Sequence, residues 1–266
     1  MQLKLIVLCS ALIFCSCGKD NSTGNGGRPP YSVPYLVSGT EKYVSTVQVV
    51  DSLNHVINEE ADSEMVRITG MDQVEGQYSG LVCVEATSLS DTLGLEYTWY
   101  KATSDSLVEV AYSGAGGVPM VLAKKSGYAS PSPLSFPPSL WRYIIKKLAT
   151  DSVVIRSDLR VVHCYPLIEG KKWTSFHDPF LEEREVVGTG LTRVRAGTFF
   201  CSIIKTTIDF GSGPLDIDWL DYVAPEGLVL RTLSIPNVTV TTISSPDSGS
   251  IGTLTERMEM VSTSPF

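Results

Sequence analysis

The chain predicts a mainly β protein: a large curved antiparallel sheet, half-barrel or open barrel, with one short helix. Three observations lead there. From residue 41 onward, apolar and polar side chains alternate at period two over run after run, which is the pattern of a half-buried strand. Clusters of Gly, Asn, Asp, Ser and Pro separate those runs at hairpin spacing. A single stretch, LWRYIIKKLA at 140–149, has its apolar residues spaced for a helix instead.

The first sixteen residues stand outside the fold. Lys4 provides a positive start, and Leu5-Ile6-Val7-Leu8 with Ala11-Leu12-Ile13-Phe14 provides an apolar core too short to span a bilayer. Ser16-Cys17-Gly18 after this core resembles the lipobox of bacterial lipoprotein signal peptides, with Phe14 where Leu is usual and Cys15 where Ala or Ser is usual. The resemblance implies cleavage before Cys17 and lipidation of Cys17, which would make the membrane the first partner. A cysteine carrying several acyl chains holds far better than one carrying a single chain, at about 0.8 kcal/mol per buried methylene. Gly18 rather than Asp behind the cysteine points to the outer membrane by analogy with enterobacterial sorting. Residues 17–40 then read as a tether, because KDNSTGNGGRPPYSVP at 19–34 has little to bury.

The sequence holds 21 basic and 29 acidic side chains; removing residues 1–16 takes away Lys4 and no acid, so the net charge of −8 becomes −9. An acidic surface without basic runs excludes nucleic acid as a partner and argues against electrostatic docking on anionic lipid. The remaining chain, 41–266, reads as a single all-β domain, with a subdomain break allowed near 114–138, where glycines give way to ASPSPLSFPP.

Taken in order, 43–53 is the first strand, and 54–64 a polar, acidic stretch carrying His55, Glu59, Glu60 and Asp62. These could bind a divalent ion only if they converged, and their spacing repeats no ligand pattern. Residues 65–74 and 76–88 form a strand pair turning at Glu75-Gly76; 96–103 and 107–112 form another around Ser104-Asp105-Ser106. Ser139 caps the helix at 140–149, which would plug an open face of the sheet. Trp99, Trp141 and Trp173 are aromatics of the core or of a ligand-binding concavity. Residues 183–210 make the clearest hairpin, with the corner at Ala196-Gly197 and Ser202, Ile204, Thr206 and Ile208 on one face. Strands at 239–245 and 251–262 close the sheet around a Pro246–Gly249 turn.

Cys83, Cys164 and Cys201 remain in the folded part, enough for one disulfide. Cys164 and Cys201, both in strands of the second half, are the expected pair; the alternative is three buried cysteines serving as small apolar residues.

Tyr165-Pro166-Leu167, Gly170 and Trp173, then Ala196-Gly197-Thr198-Phe199, then Trp219, Tyr222 and Gly227-Leu228-Val229 together resemble a large group of uncharacterised bacterial envelope lipoproteins. The departures are Arg195 where Pro is usual, and Trp219 and Tyr222 separated by two residues rather than adjacent. The resemblance covers 158 to about 231 well and the first half more weakly. It implies a curved antiparallel sheet, related to the half-barrel of the LolA and LolB lipoprotein carriers, and no established activity.

No serine elbow, phosphate loop, zinc spacing or dinucleotide fingerprint is present, so neither catalytic residues nor cofactors are expected. His163 and Cys164 are strand neighbours on opposite faces and cannot act as a base and nucleophile pair. His177-Asp178 reads as a turn. Asp216, Asp218 and Asp221 could line a glycan cleft, which makes a cell-envelope glycan hydrolase the alternative function. The leading expectation is a membrane-anchored envelope lipoprotein that acts without catalysis, binding a hydrophobic ligand or another envelope protein.

Overall fold

The computed structural model describes residues 39–74, 78–88, 95–114, 150–177, 181–209, 211, 213–242 and 245–265. The signal segment with Cys17, most of the tether, the Pro-rich segment and the expected helix at 140–149 lie outside the described residues.

Twelve strands follow one another: β1 Gly39–Val50, β2 Val56–Val74, β3 Tyr78–Ser88, β4 Leu95–Ala102, β5 Ser106–Gly114, β6 Thr150–Cys164, β7 Lys172–Phe176, β8 Leu181–Val194, β9 Gly197–Asp209, β10 Asp218–Ala224, β11 Gly227–Thr242 and β12 Ser245–Pro265. They form one antiparallel sheet in the order β6-β5-β4-β3-β2-β1-β12-β11-β10-β9-β8-β7. Each half is a simple meander, and the halves join where the first strand pairs with the last, Gly39 opposite Pro265 and Val50 opposite Thr253.

The mainly β, large antiparallel sheet predicted from alternation is what forms. In β8, Glu182, Arg184, Val186, Thr192 and Val194 are buried while the residues between them are exposed or half-exposed. In β9, Ser202, Ile204, Thr206 and Ile208 are buried in alternation. The turn between them holds Gly197 at φ +142°, a conformation L side chains rarely adopt. Gly227 opens β11 at φ +132° for a second reason: a Cβ there would lie 2.8 Å from a Glu41 carboxylate oxygen.

Two segments differ from their sequence pattern. The polar, acidic stretch at 54–64, which carries no strand pattern, is strand from Val56 onward, because β1 offers a full ladder, Val44 opposite Ser63 and Thr46 opposite Ala61. Pairing with a neighbour outweighs the weak propensity of the acids. The last hairpin reverses before Pro246-Asp247, not at it: Thr242 already pairs with Ser245.

The core divides into local clusters. Leu107, Cys164, Tyr165, Leu167, Trp173, Val186, Ile204 and Val223 pack together; Tyr43, Val194, Cys201, Ala224, Val229, Leu230 and Met260 form a second group. This separation corrects the expected disulfide. Cys164 belongs to the first group and Cys201 to the second, and Cys201, like Cys83, is a buried free thiol. Burial pushes both free thiols up, so they behave as small apolar residues.

The two edges of the sheet, β6 and β7, lie against each other without a shared ladder among the described residues. Trp173 Nε1 donates to Val161 O at 3.1 Å, and an Arg184 guanidinium nitrogen donates to Val162 O at 3.1 Å. Between them sits a buried ion network. Glu182 accepts from Arg160 at 2.9 and 3.0 Å and from Arg184 Nε at 2.9 Å, and Arg160 also meets Glu109 at 3.5 Å. Burial raises the Glu182 carboxyl, but Arg160 and Arg184 outweigh it and hold the group at about 2. Removing one partner from a buried network leaves the others unpaired, at a cost of about 3–5 kcal/mol. Glu182→Ala is therefore expected to lose about that much in urea unfolding, and the exposed neighbour change Glu183→Ala no more than about 0.5 kcal/mol.

Candidate functional site

Trp99 and Trp173, two of the three aromatics that could have lined a ligand cavity, do not meet. Trp99 packs with Val74, Leu81, Cys83, Val110 and Ala111, stacks on Tyr97 and donates to Asp72 at 2.9 Å. Trp173 sits in the cluster at the β6–β7 seam. Trp141 lies outside the described residues.

The acids singled out from sequence separate in the same way. Asp221 is buried and bound in place: Arg231 donates to both its oxygens, at 2.7 and 3.1 Å, and Trp219 Nε1 donates at 3.1 Å. The Arg231 guanidinium also lies 5.1 Å from the centre of the Trp219 ring. Burial raises the Asp221 carboxyl, but Arg231 outweighs it and brings the group down to about 2. A carboxylate held this firmly is a structural brace. Asp216 and Asp218 are exposed, outside this cluster. Glu41 goes the other way: burial outweighs the hydrogen bond it accepts from the Tyr43 hydroxyl, and its carboxyl is pushed up.

His163 is buried opposite Leu107. Burial, then the Arg184 charge, drives its imidazole down to about 3, with Asp221 opposing and Arg231 adding to the effect. His177 is exposed, and Asp178 lies outside the described residues. At the first turn, His55 Nδ1 is 3.2 Å from an Asp51 oxygen, while Glu59 accepts from Gln48 Nε2 at 2.6 Å. These two members of the acidic stretch thus engage different partners.

An open groove of about 440 Å³ lies elsewhere. Its floor is one face of four adjacent strands: Val44, Thr46 and Gln48 from β1, Thr255, Arg257 and Glu259 from β12, Thr232 and Ser234 from β11, and Asp218 from β10. Its wall is the tip of the β8–β9 hairpin, which reaches back across β10 and β11 to β12. There Ala196 N donates to Met260 O at 3.1 Å, and Arg195 Nε meets Glu259 at 2.8 Å. Arg257 meets the other Glu259 oxygen at 3.2 Å. The groove thus presents hydroxyls, an amide and charges of both signs. Sequence reading marks Arg195 only as a departure at a corner; its position over β12 follows from long-range curvature, which local pattern does not carry.

No protein-family model matches the chain and no curated protein is similar to it. The solved structures similar to it include a "putative exported protein with YmcC-like fold" from Bacteroides fragilis, at 10% identity and TM-score 0.38, covering 84% of this chain and 95% of that one, and a "putative lipoprotein" from Parabacteroides distasonis, at 12% identity and TM-score 0.39, covering 88% of this chain and 100% of that one. Similarity at this level carries no inference about what the chain does.

The buried histidine makes an acid-stability prediction. Its folded value of about 3 lies below the ordinary 6.5, so the unfolded chain takes the proton first. Its contribution is complete above about pH 6.5 and is lost as pH falls toward 3. Glu182 and Asp221, with folded values of about 2 against an ordinary 4.5 and 3.8, begin to lose their contribution at about pH 5 and lose it as pH falls toward 2. Denaturant unfolding between pH 7 and 5 should show stability declining in the parent protein, and a flatter profile in His163→Gln.

Proposed function

We propose that the chain is a membrane-anchored bacterial envelope lipoprotein, held by lipid on Cys17, that acts as a non-enzymatic interaction module for another envelope component. The observation that carries the interaction reading is the groove walled by Arg195. It is open and lined by hydroxyls and charges of both signs together with Val44 and Leu233, a mixed surface suited to a polypeptide rather than to an acyl chain. Trp99 and Trp173 are committed to separate packed clusters, which removes support for the hydrophobic-ligand version. The resemblance to envelope lipoproteins, the lipobox and the polar tether supply the address, with the outer membrane as the assigned side. Lipid holds the protein at the surface and the groove is left to meet its partner.

The second reading, a cell-envelope glycan hydrolase, retains one favourable observation: Asp218 lines the groove, with Glu256 and Glu259 beside it. Against it, Glu259 is engaged by Arg195 and Arg257, and Asp216 is absent from the lining. A glycosidase needs two carboxyls at a set separation, and of the three acids expected to serve, Asp221 is bound to Arg231 and Trp219, and Asp216 lies outside the lining.

Two outcomes test the proposal. Cys17→Ser is expected to abolish fatty-acid labelling and shift the protein out of the membrane fraction. A photo-crosslinking residue in place of Thr46, on the groove floor, is expected to trap one discrete envelope protein in the native host. Acyl lipid co-purifying with the detergent-solubilised protein at one equivalent, with nothing trapped at position 46, would return the reading to ligand carriage. Turnover of cell-wall glycan that disappears in Asp218→Asn would return it to hydrolysis.

A further inference from the structure

Among the described residues, the outer edge of β8 is covered only along part of its length. β7 pairs with it from Glu182 to Glu185, and the segment before β7 covers the next position: Val186 N donates to Lys171 O at 2.9 Å and Gly170 N to Val186 O at 2.8 Å. From Val187 to Val194 no described strand pairs on that side, while the other side is laddered to β9 as far as Val194 opposite Gly197. A bare edge of this length is a template for another strand, and soluble proteins ordinarily blunt such edges with Lys, Pro or short length. Here the segment reads VGTGLTRV, with Arg193 as its single charge. Leu191 is 76% exposed, and Gly188 and Gly190 have open space where a side chain would stand.

We infer that this edge pairs with the same edge of a second copy of the chain, antiparallel about a two-fold axis at Leu191. Two constraints select that register. Opposed residues in an antiparallel ladder share a face, so in a pair of identical strands the two positions must have the same parity. The pairing must also stop short of Val186, which the preceding segment already occupies. Centring on Leu191 satisfies both: Gly188 faces Val194 of the copy, Thr189 faces Arg193, Gly190 faces Thr192, and Leu191 faces Leu191. Each bare glycine receives a side chain from the other copy, and the most exposed leucine of the sheet meets its equivalent. A two-fold interface uses one patch twice, which is why a self-complementary pattern points to a second copy. The groove floor lies on β1, β12, β11 and β10, away from the paired edge, while Arg195 of its wall directly follows the last paired residue, Val194.

The test uses the full lipid-anchored chain in detergent. Sedimentation should give a protein mass twice that of the monomer, falling to one copy in Leu191→Lys, a change at an exposed position that leaves the fold intact. Residues directly opposed across an antiparallel pair stand about 4.5–5.5 Å apart at Cα, within disulfide reach. Leu191→Cys should therefore give a covalent dimer on mild oxidation. Arg193→Cys, which faces position 189 of the copy, should not cross-link alone but should do so when mixed with Thr189→Cys. A monomeric parent at every concentration would overturn the inference. So would equal cross-linking of Leu191→Cys and Arg193→Cys, or capture of a different protein at position 191.

Discussion

A twelve-stranded sheet has two edges, and in this protein those edges are brought together by charge rather than by a ladder. Arg160 on β6 and Glu182 on β8 meet at 2.9 Å, with Glu109 and Arg184 completing the set. Desolvating four charged groups is expensive, and only full mutual pairing offsets it. The arrangement is therefore strict: it tolerates one relative placement of β5, β6 and β8, and with it one curvature of the sheet. Neutral packing across the same seam would allow the edges to slide. The Trp173 and Arg184 bonds to the backbone of β6 reinforce the same alignment.

The curvature so set decides what the protein can offer to others. It brings the β8–β9 hairpin round until Arg195 lies against Glu259 of β12, and this contact makes a walled groove from what would otherwise be a flat face. The interior of the sheet is used differently. Asp221, Arg231, Trp219 and His163 occupy it along with apolar clusters.

Much of this architecture is legible from local pattern. The alternation in 183–210, the glycine at the Ala196-Gly197 corner and the burial of Trp173 and Trp219 all follow from period two and turn chemistry. Glu182 and Arg184 are in phase with Val186, so their burial was also readable as a conflict between charge and face. What pattern cannot supply is the identity of partners far apart in sequence. Arg160 and Glu182 are 22 positions apart, and Ser45 and Glu256, which share a hydrogen bond, are 211 apart. A buried network and a solvated pair have the same composition. The acidic stretch after β1 shows no strand pattern for a related reason, since its ladder partner decides its state. The Cys164–Cys201 pairing failed because membership of the same half says nothing about membership of the same cluster.

The placement of β1 has a mechanical consequence. This strand lies in the middle of the sheet, laddered to β2 on one side and to β12 on the other, with Gly39 opposite both Ile68 and Pro265. A pull arriving through the residues that precede Gly39 acts along the axis of β1. It loads both ladders lengthwise, so their hydrogen bonds resist together instead of being peeled one at a time. A chain hung from its N-terminus on a moving surface is thus gripped along a central strand laddered on both sides, whereas the same force applied at short, outermost β7 would unzip it rung by rung.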